Sequence, residues 1–90
     1  MKQAKLLRSF TEKAGLHMET LSDLPLLELC GEDRILVENH KCVVGYTERE
    51  IIIRVSFGLI EISGEALEIS RANKEQLIIY GRIRNISLVY

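Results

Sequence analysis

The stretch from Gly58 to Gly81 constrains this chain most. It runs Gly-Leu-Ile-Glu-Ile-Ser-Gly-Glu-Ala-Leu-Glu-Ile-Ser, then through a polar turn into Glu-Gln-Leu-Ile-Ile-Tyr-Gly. Ile60 and Ile62 alternate with Leu59, Glu61 and Ser63. Beyond Gly64-Glu65, Leu67 and Ile69 alternate with Glu68 and Ser70. A period of two is the signature of a half-buried β-strand, and the Ser-Gly-Glu break reads as turn chemistry. The pattern speaks for a fold class and is silent on chemistry.

The flanking segments extend the same grammar. Leu24-Pro25 favours an extended backbone, because the residue before proline is pushed toward the β region. Leu26 to Cys30 and Arg34 to Glu38 read as strands around Gly31-Glu32-Asp33. Asn39-His40 reverses the chain into Lys41 to Tyr46, where Cys42, Val44 and Tyr46 share a face and Gly45 invites a bulge. Glu50 to Ser56 has the highest β propensity, and its three successive isoleucines call for cover on both faces. Gln76 to Tyr80 and Arg82 to Tyr90 complete the chain. Ile83 and Ile86 are out of phase for one flat strand, which predicts a bulge or bend near Arg84-Asn85.

The expected fold is therefore mainly β with one N-terminal helix: a compact antiparallel β-sandwich or roll of about seven to eight short strands. The spacing of Gly58, Gly64 and Gly81 makes a short β-solenoid the alternative, though no fixed repeat period is present. Residues 1–16 are assigned to the N-terminal amphipathic helix and residues 17–90 to a single β domain. The inward set is Ile35, Val37, Val44, Ile51, Ile53, Ile60, Ile62, Leu67, Ile69, Leu77, Ile79 and Ile83. Short hairpins leave strand edges, and Gln76 to Tyr80 and Ile86 to Tyr90 are the two uncharged candidates for an edge that pairs with another chain.

Ninety residues make one domain, and 47% hydrophobic with 28% charged residues is globular composition. No run of about 18 apolar residues is present, so no membrane span is expected, and the N-terminus lacks the apolar core of a secretion signal. Two cysteines make no disulfide framework, and free thiols in a cytoplasmic protein are the expectation. Charge is uneven. Residues 1–13 hold Lys2, Lys5, Arg8 and Lys13 against Glu12, a net +3, while the rest has eight basic and twelve acidic residues, a net −4.

In that basic segment Leu6, Leu7, Phe10 and Ala14 fall on one stripe of a helix, with Gly15 as its stop. Three roles fit, in this order: a cap over an open end of the β core, a docking helix for a partner protein, and a helix at the membrane surface. The candidate partner-binding residues are Lys2, Lys5, Leu6, Leu7, Arg8 and Phe10.

Catalysis finds little support. Cys42 with His40 two residues before it is the one nucleophile–base pair to weigh, and no third group orients it; a buried strand cysteine is the preferred reading. Cys30, His40 and Cys42, with His17, lack the paired spacing of a zinc site. Glu61 and Glu68 could face each other across a hairpin, yet carboxylates on a solvated strand face explain them more simply. No glycine-rich phosphate loop precedes a helix. No catalytic, cofactor or metal residues are therefore assigned. The class alternative is a small β-barrel that binds nucleic acid, which needs aromatics beside a basic track; the five aromatics are scattered and the body is acidic.

The ordered set Asp23-Leu24-Pro25, Gly31, Val37-Glu38-Asn39-His40, Tyr46, Gly58-Leu59, Ile62-Ser63-Gly64, Leu67-Glu68-Ile69 and Leu77-Ile78-Ile79-Tyr80-Gly81-Arg82-Ile83 resembles the YabP/YqfC family of sporulation proteins from endospore-forming bacteria, and most resembles its YqfC branch. The resemblance covers nearly the whole chain. It implies a non-enzymatic protein of the mother cell, needed around engulfment and forespore development. It also implies an assembly or adaptor role linked to a YqfD-like membrane-anchored sporulation protein. No active site and no cofactor come with it. The expected partners are that protein and a homo-oligomer formed through an edge strand, with no nucleic acid and at most peripheral membrane contact.

Overall fold

A computed structural model describes residues 23–90, which form one six-stranded antiparallel sheet. The strands are β1 (Leu26–Cys30), β2 (Arg34–Glu38), β3 (Cys42–Tyr46), β4 (Glu50–Val55), β5 (Gly58–Ala72) and β6 (Gln76–Val89), in the spatial order β1-β2-β6-β5-β4-β3. The N-terminal helix expected over residues 1–16 lies outside the described residues.

Each hairpin is closed by the turn chemistry its residues carry. Gly31 takes a φ of 64° between β1 and β2, a conformation that costs glycine nothing. Between β3 and β4 the Thr47 hydroxyl accepts hydrogen bonds from the backbone N–H groups of Arg49 (3.2 Å) and Glu50 (3.0 Å). Between β5 and β6 the Asn73 side-chain oxygen accepts from the N–H groups of Glu75 and Gln76, both at 2.9 Å. These are the local side-chain-to-backbone bonds for which Thr and Asn are selected in turns.

Two strands carry the architecture. β5 has 15 residues and β6 has 14, and they pair along most of their length. β2 pairs only with the first part of β6, Arg34 to Glu38 against Gln76 to Tyr80. β4 pairs only with the first part of β5, Glu50 to Val55 against Gly58 to Ser63. The long hairpin thus carries one short hairpin at each end, on opposite sides. Where the short hairpins stop, both long strands are irregular. The β5–β6 register slips between Ser63 and Gly64, between Glu65 and Glu68, and between Ile69 and Arg71.

Close backbone approach at these slips explains two glycines. Gly81 has a φ of 140°, and a Cβ there would lie 2.7 Å from the Ala66 carbonyl oxygen and 2.8 Å from Leu67 Cα. A Cβ on Gly64 would run into the Arg82 carbonyl. The turn of each short hairpin then clamps the slip. Gly81 and Ile83 donate their N–H groups to the carbonyls of Asp33 and Glu32, and Gly64 and Leu67 donate theirs to Arg49 and Glu48.

The buried cluster draws on both ends of the sheet: Ile35, Val37, Leu77 and Ile79 from one, Ile51, Ile53, Val55, Ile60 and Ile62 from the other, with Leu67 at the slip. For both ends to bury the same cluster, the sheet must fold over across the slips. At roughly 1.5–3 kcal/mol for each fully buried aliphatic side chain, this shared core is the main stabilising contribution of the domain.

Several expectations need correction. Among the described residues six strands replace seven or eight, because the glycines at 64 and 81 interrupt β5 and β6 without ending them. Every pairing is antiparallel, so the architecture is not a solenoid. The sheet ends at β1 and β3, which do not pair with each other, so it is not a closed barrel either. Val44 is 50% exposed and does not face the core. The register in β3 steps from Val43↔Ile53 to Gly45↔Ile52, making Val44 the bulged residue, and Val43 packs on the core in its place. Val55 is buried and was not anticipated, while Ile69 and Ile83 pack against the core without being fully covered. The anticipated bend near Arg84-Asn85 is present, with Arg84 the extra residue between Ile83↔Gly64 and Asn85↔Ser63.

Candidate interaction surface

A sheet built this way has four edges. β1 and β3 are the outer strands. In addition, β5 beyond Leu67 and β6 beyond Ile83 each outrun the short hairpin at their side, and among the described residues no strand pairs with those flanks. Of the two uncharged segments expected at an edge, Gln76 to Tyr80 is interior, paired with β2 on one side and β5 on the other. Its lack of charge reflects a buried neighbourhood. Ile86 to Val89 does lie on an open flank.

The two flanks differ. On β5 the hydroxyl of Tyr46 reaches across and accepts a hydrogen bond from the Ile69 N–H at 2.9 Å. On β6 the corresponding position opens onto a cavity of about 280 Å³ lined by Leu29, Gly31 and Glu32 from the β1–β2 hairpin and by Ile83 to Ile86. Leu29 (52%), Leu88 (49%) and Tyr90 (87%) are exposed along this side, and the Tyr90 ring packs on Phe57 with centroids 5.0 Å apart. Arg84 leaves the bulge toward Glu65 and forms an ion pair at 2.9 Å. Both partners are solvent-exposed, so the pair adds little stability.

The chemistry-bearing residues singled out in the sequence are dispersed. Cys42 is exposed on the outer face of β3, opposite Arg54, and is not the buried strand cysteine expected of it. Along β3 the exposed residues are Cys42, Val44 and Tyr46, and Val43 and Gly45 are the less exposed ones. His40 precedes β3; its Nδ1 is buried without a hydrogen-bond partner among the described residues, and burial pushes its imidazole below the ordinary histidine value. Cys30 is half-buried at the end of β1, where its thiol meets a Glu28 carboxylate oxygen at 3.6 Å. Contact with the Cys30 sulfur, and then with the Tyr80 hydroxyl, holds the Arg34 guanidinium above its usual range. Glu61 and Glu68 sit on one strand, opposite Ser87 and Tyr80 of β6, and do not face each other. No group of three or more His, Cys, Asp or Glu able to hold a metal occurs among the described residues. Lys2, Lys5, Leu6, Leu7, Arg8 and Phe10 lie outside the described residues.

A family model settles what kind of chain carries this sheet. The YabP family model matches residues 25–90. The chain belongs to the YabP family. The match begins at Pro25, one residue before β1, and takes in all six strands of this YabP family sheet. Family membership suggests a sporulation-related protein. No curated protein and no solved structure matches the chain. Among the described residues of this YabP family member, no helix is long and apolar enough to cross a membrane.

Of the two edge candidates in the sequence, Ile86 to Tyr90 points to the open flank of β6, a flank of an otherwise central strand. Its signal is the run of six residues without charge that follows Arg84, read together with the phase break at Ile83 and Ile86.

Proposed function

We propose that this chain is a non-enzymatic assembly or adaptor module of the sporulating mother cell, of the YqfC branch, that works by contact with a membrane-anchored partner resembling YqfD. Its place is the cytoplasm, with membrane contact made through that partner. The observation that carries the reading is a family-matched sheet whose open flanks and exposed Leu29, Leu88 and Tyr90 offer contact surface. The opposite charge of residues 1–13 and of the remaining chain, +3 against −4, supports a second contact. Lys2, Lys5 and Arg8 suit an acidic surface and Leu6, Leu7 and Phe10 suit an apolar groove.

The test is recovery of the partner from sporulating cells with the chain as bait, before and after Leu6, Leu7 and Phe10 are changed together to Ala. Loss of a membrane protein from the eluate, with the melting temperature of the bait unchanged, is the expected result. Full recovery by the triple variant, or recovery of nucleic acid in place of protein, overturns the reading.

A further inference from the structure

We infer that the open flank of β6 from Asn85 to Val89 is the dimer interface of this protein, pairing antiparallel with the same flank of a second copy. A two-fold axis relates identical strands only in antiparallel fashion, so self-pairing of an edge has one orientation. What remains is to ask which of the four edges tolerates it.

Charge decides. β1 is centred on Glu28, so pairing β1 with itself sets Glu28 against the same residue of the second copy. Like charges directly opposite are destabilising. β3 carries the bulge at Val44, which breaks the regular spacing of backbone groups that a ladder needs. The flank of β5 holds Glu68 and Arg71, and the Tyr46 hydroxyl already occupies its Ile69 N–H. The flank of β6 has no charge from Asn85 to Tyr90, and Arg84 at its start is neutralised by Glu65.

Centring the pair on Ser87 lays Asn85 to Val89 against the second copy's Val89 to Asn85. Just beyond the end of this ladder the bulged Arg84 lies near the second copy's Tyr90, a cation beside an aromatic ring. The two Arg84 residues are then six positions apart along the ladder, roughly 20 Å at strand rise, and well beyond screening distance at physiological salt. The cavity between Leu29, Glu32 and Arg84 opens at the end of this ladder, where the second copy's Tyr90 arrives. Ile86 and Leu88 of both copies share the face of Ile62 and Ile60, so the apolar layer continues across the axis.

Sedimentation of the full chain, with a pair of charge variants, tests the interface. The unmodified chain should sediment as a dimer. Ser87→Lys and Ser87→Glu should each weaken dimerisation at least roughly tenfold, since each sets like charges opposite on the axis. An equimolar mixture of the two should restore the dimer. Amide exchange on the unmodified chain needs no variant to fold, and protection of Ile86 to Val89 should rise with protein concentration. A chain that is monomeric at all concentrations overturns the inference, as does a dimer indifferent to both charges. Concentration-independent protection in a monomer places another segment of the chain on this flank and overturns it too. A monomer that still recovers its membrane partner removes the dimer and leaves the adaptor reading standing.

Discussion

The hydroxyl of Tyr46, the last residue of β3, accepts a hydrogen bond from the backbone N–H of Ile69 at 2.9 Å, spanning 23 residues of sequence. It holds the outer strand β3 to the flank of β5 past the point where β4 has ended. A side chain thereby does what a seventh strand would otherwise do for that amide.

Replacing Tyr46 with Phe keeps the ring and removes the acceptor. The expected cost is about 0.5–1.5 kcal/mol, toward the lower end because water can reach the freed N–H. Denaturant titration measures the loss, and the Ile69 amide should exchange faster while amides of β2 keep their protection. An unchanged Ile69 exchange rate would show that the bond contributes nothing in solution.

Ile62 is fully buried and faces Ile51 across the β4–β5 pairing, whereas Val44 is half-exposed on its bulge. Ile62→Ala should cost about 2–4 kcal/mol through lost burial and the cavity left behind. Val44→Ala should stay within about 0.5 kcal/mol, as surface substitutions do. Melting curves of the two variants check the assignment of faces, and equal losses would contradict it.

His40 makes stability depend on pH. Burial lowers the imidazole pKa in the folded chain, and a proton on Nδ1 would find no acceptor among the described residues. The unfolded chain therefore takes up the proton first, and stability falls as pH drops below about 6.5 toward the lower folded value. Above that window the histidine is neutral in both states and the effect vanishes. Denaturant midpoints between about pH 8 and about pH 5 should decline more in the unmodified chain than in His40→Gln. Parallel declines would assign the acid sensitivity to other groups.

The legible parts of the fold are those where local chemistry has one outcome. Gly31-Glu32-Asp33 and Asn73 sit between segments of period two, and the turns fall there. Gly64 and Gly81 were ambiguous because glycine serves equally as a turn residue and as a place where backbone approaches backbone. Only the partner strand, invisible in local sequence, decides between them. The exposure of Val44 has the same origin: the extra residue between Val43↔Ile53 and Gly45↔Ile52 is visible only once the pairing strand is known. Gln76 to Tyr80 and Ile86 to Tyr90 look alike as uncharged edge candidates, because one strand can be interior over Gln76 to Tyr80 and an edge over Ile86 to Val89.

The arrangement of hairpins also orders how the chain assembles. β3, β4, β5 and β6 follow one another in sequence and in space, so each can add to its predecessor across a short connection. β1 and β2 close locally, but joining them to the rest brings Arg34 to Tyr80, 46 residues apart. Each doubling of such a loop adds only about 0.6 kcal/mol, yet that cost precedes any gain from the Ile35–Ile79 and Val37–Leu77 contacts. The β1–β2 hairpin is therefore expected to be the last of the six strands' hairpins to dock and the first to open. Its amides should open to exchange ahead of those in β4 and β5, and uniform exchange across all six strands would instead mark a single cooperative unit. The turn of that hairpin forms one wall of the cavity at the free flank of β6, so opening of the hairpin would widen access to that flank.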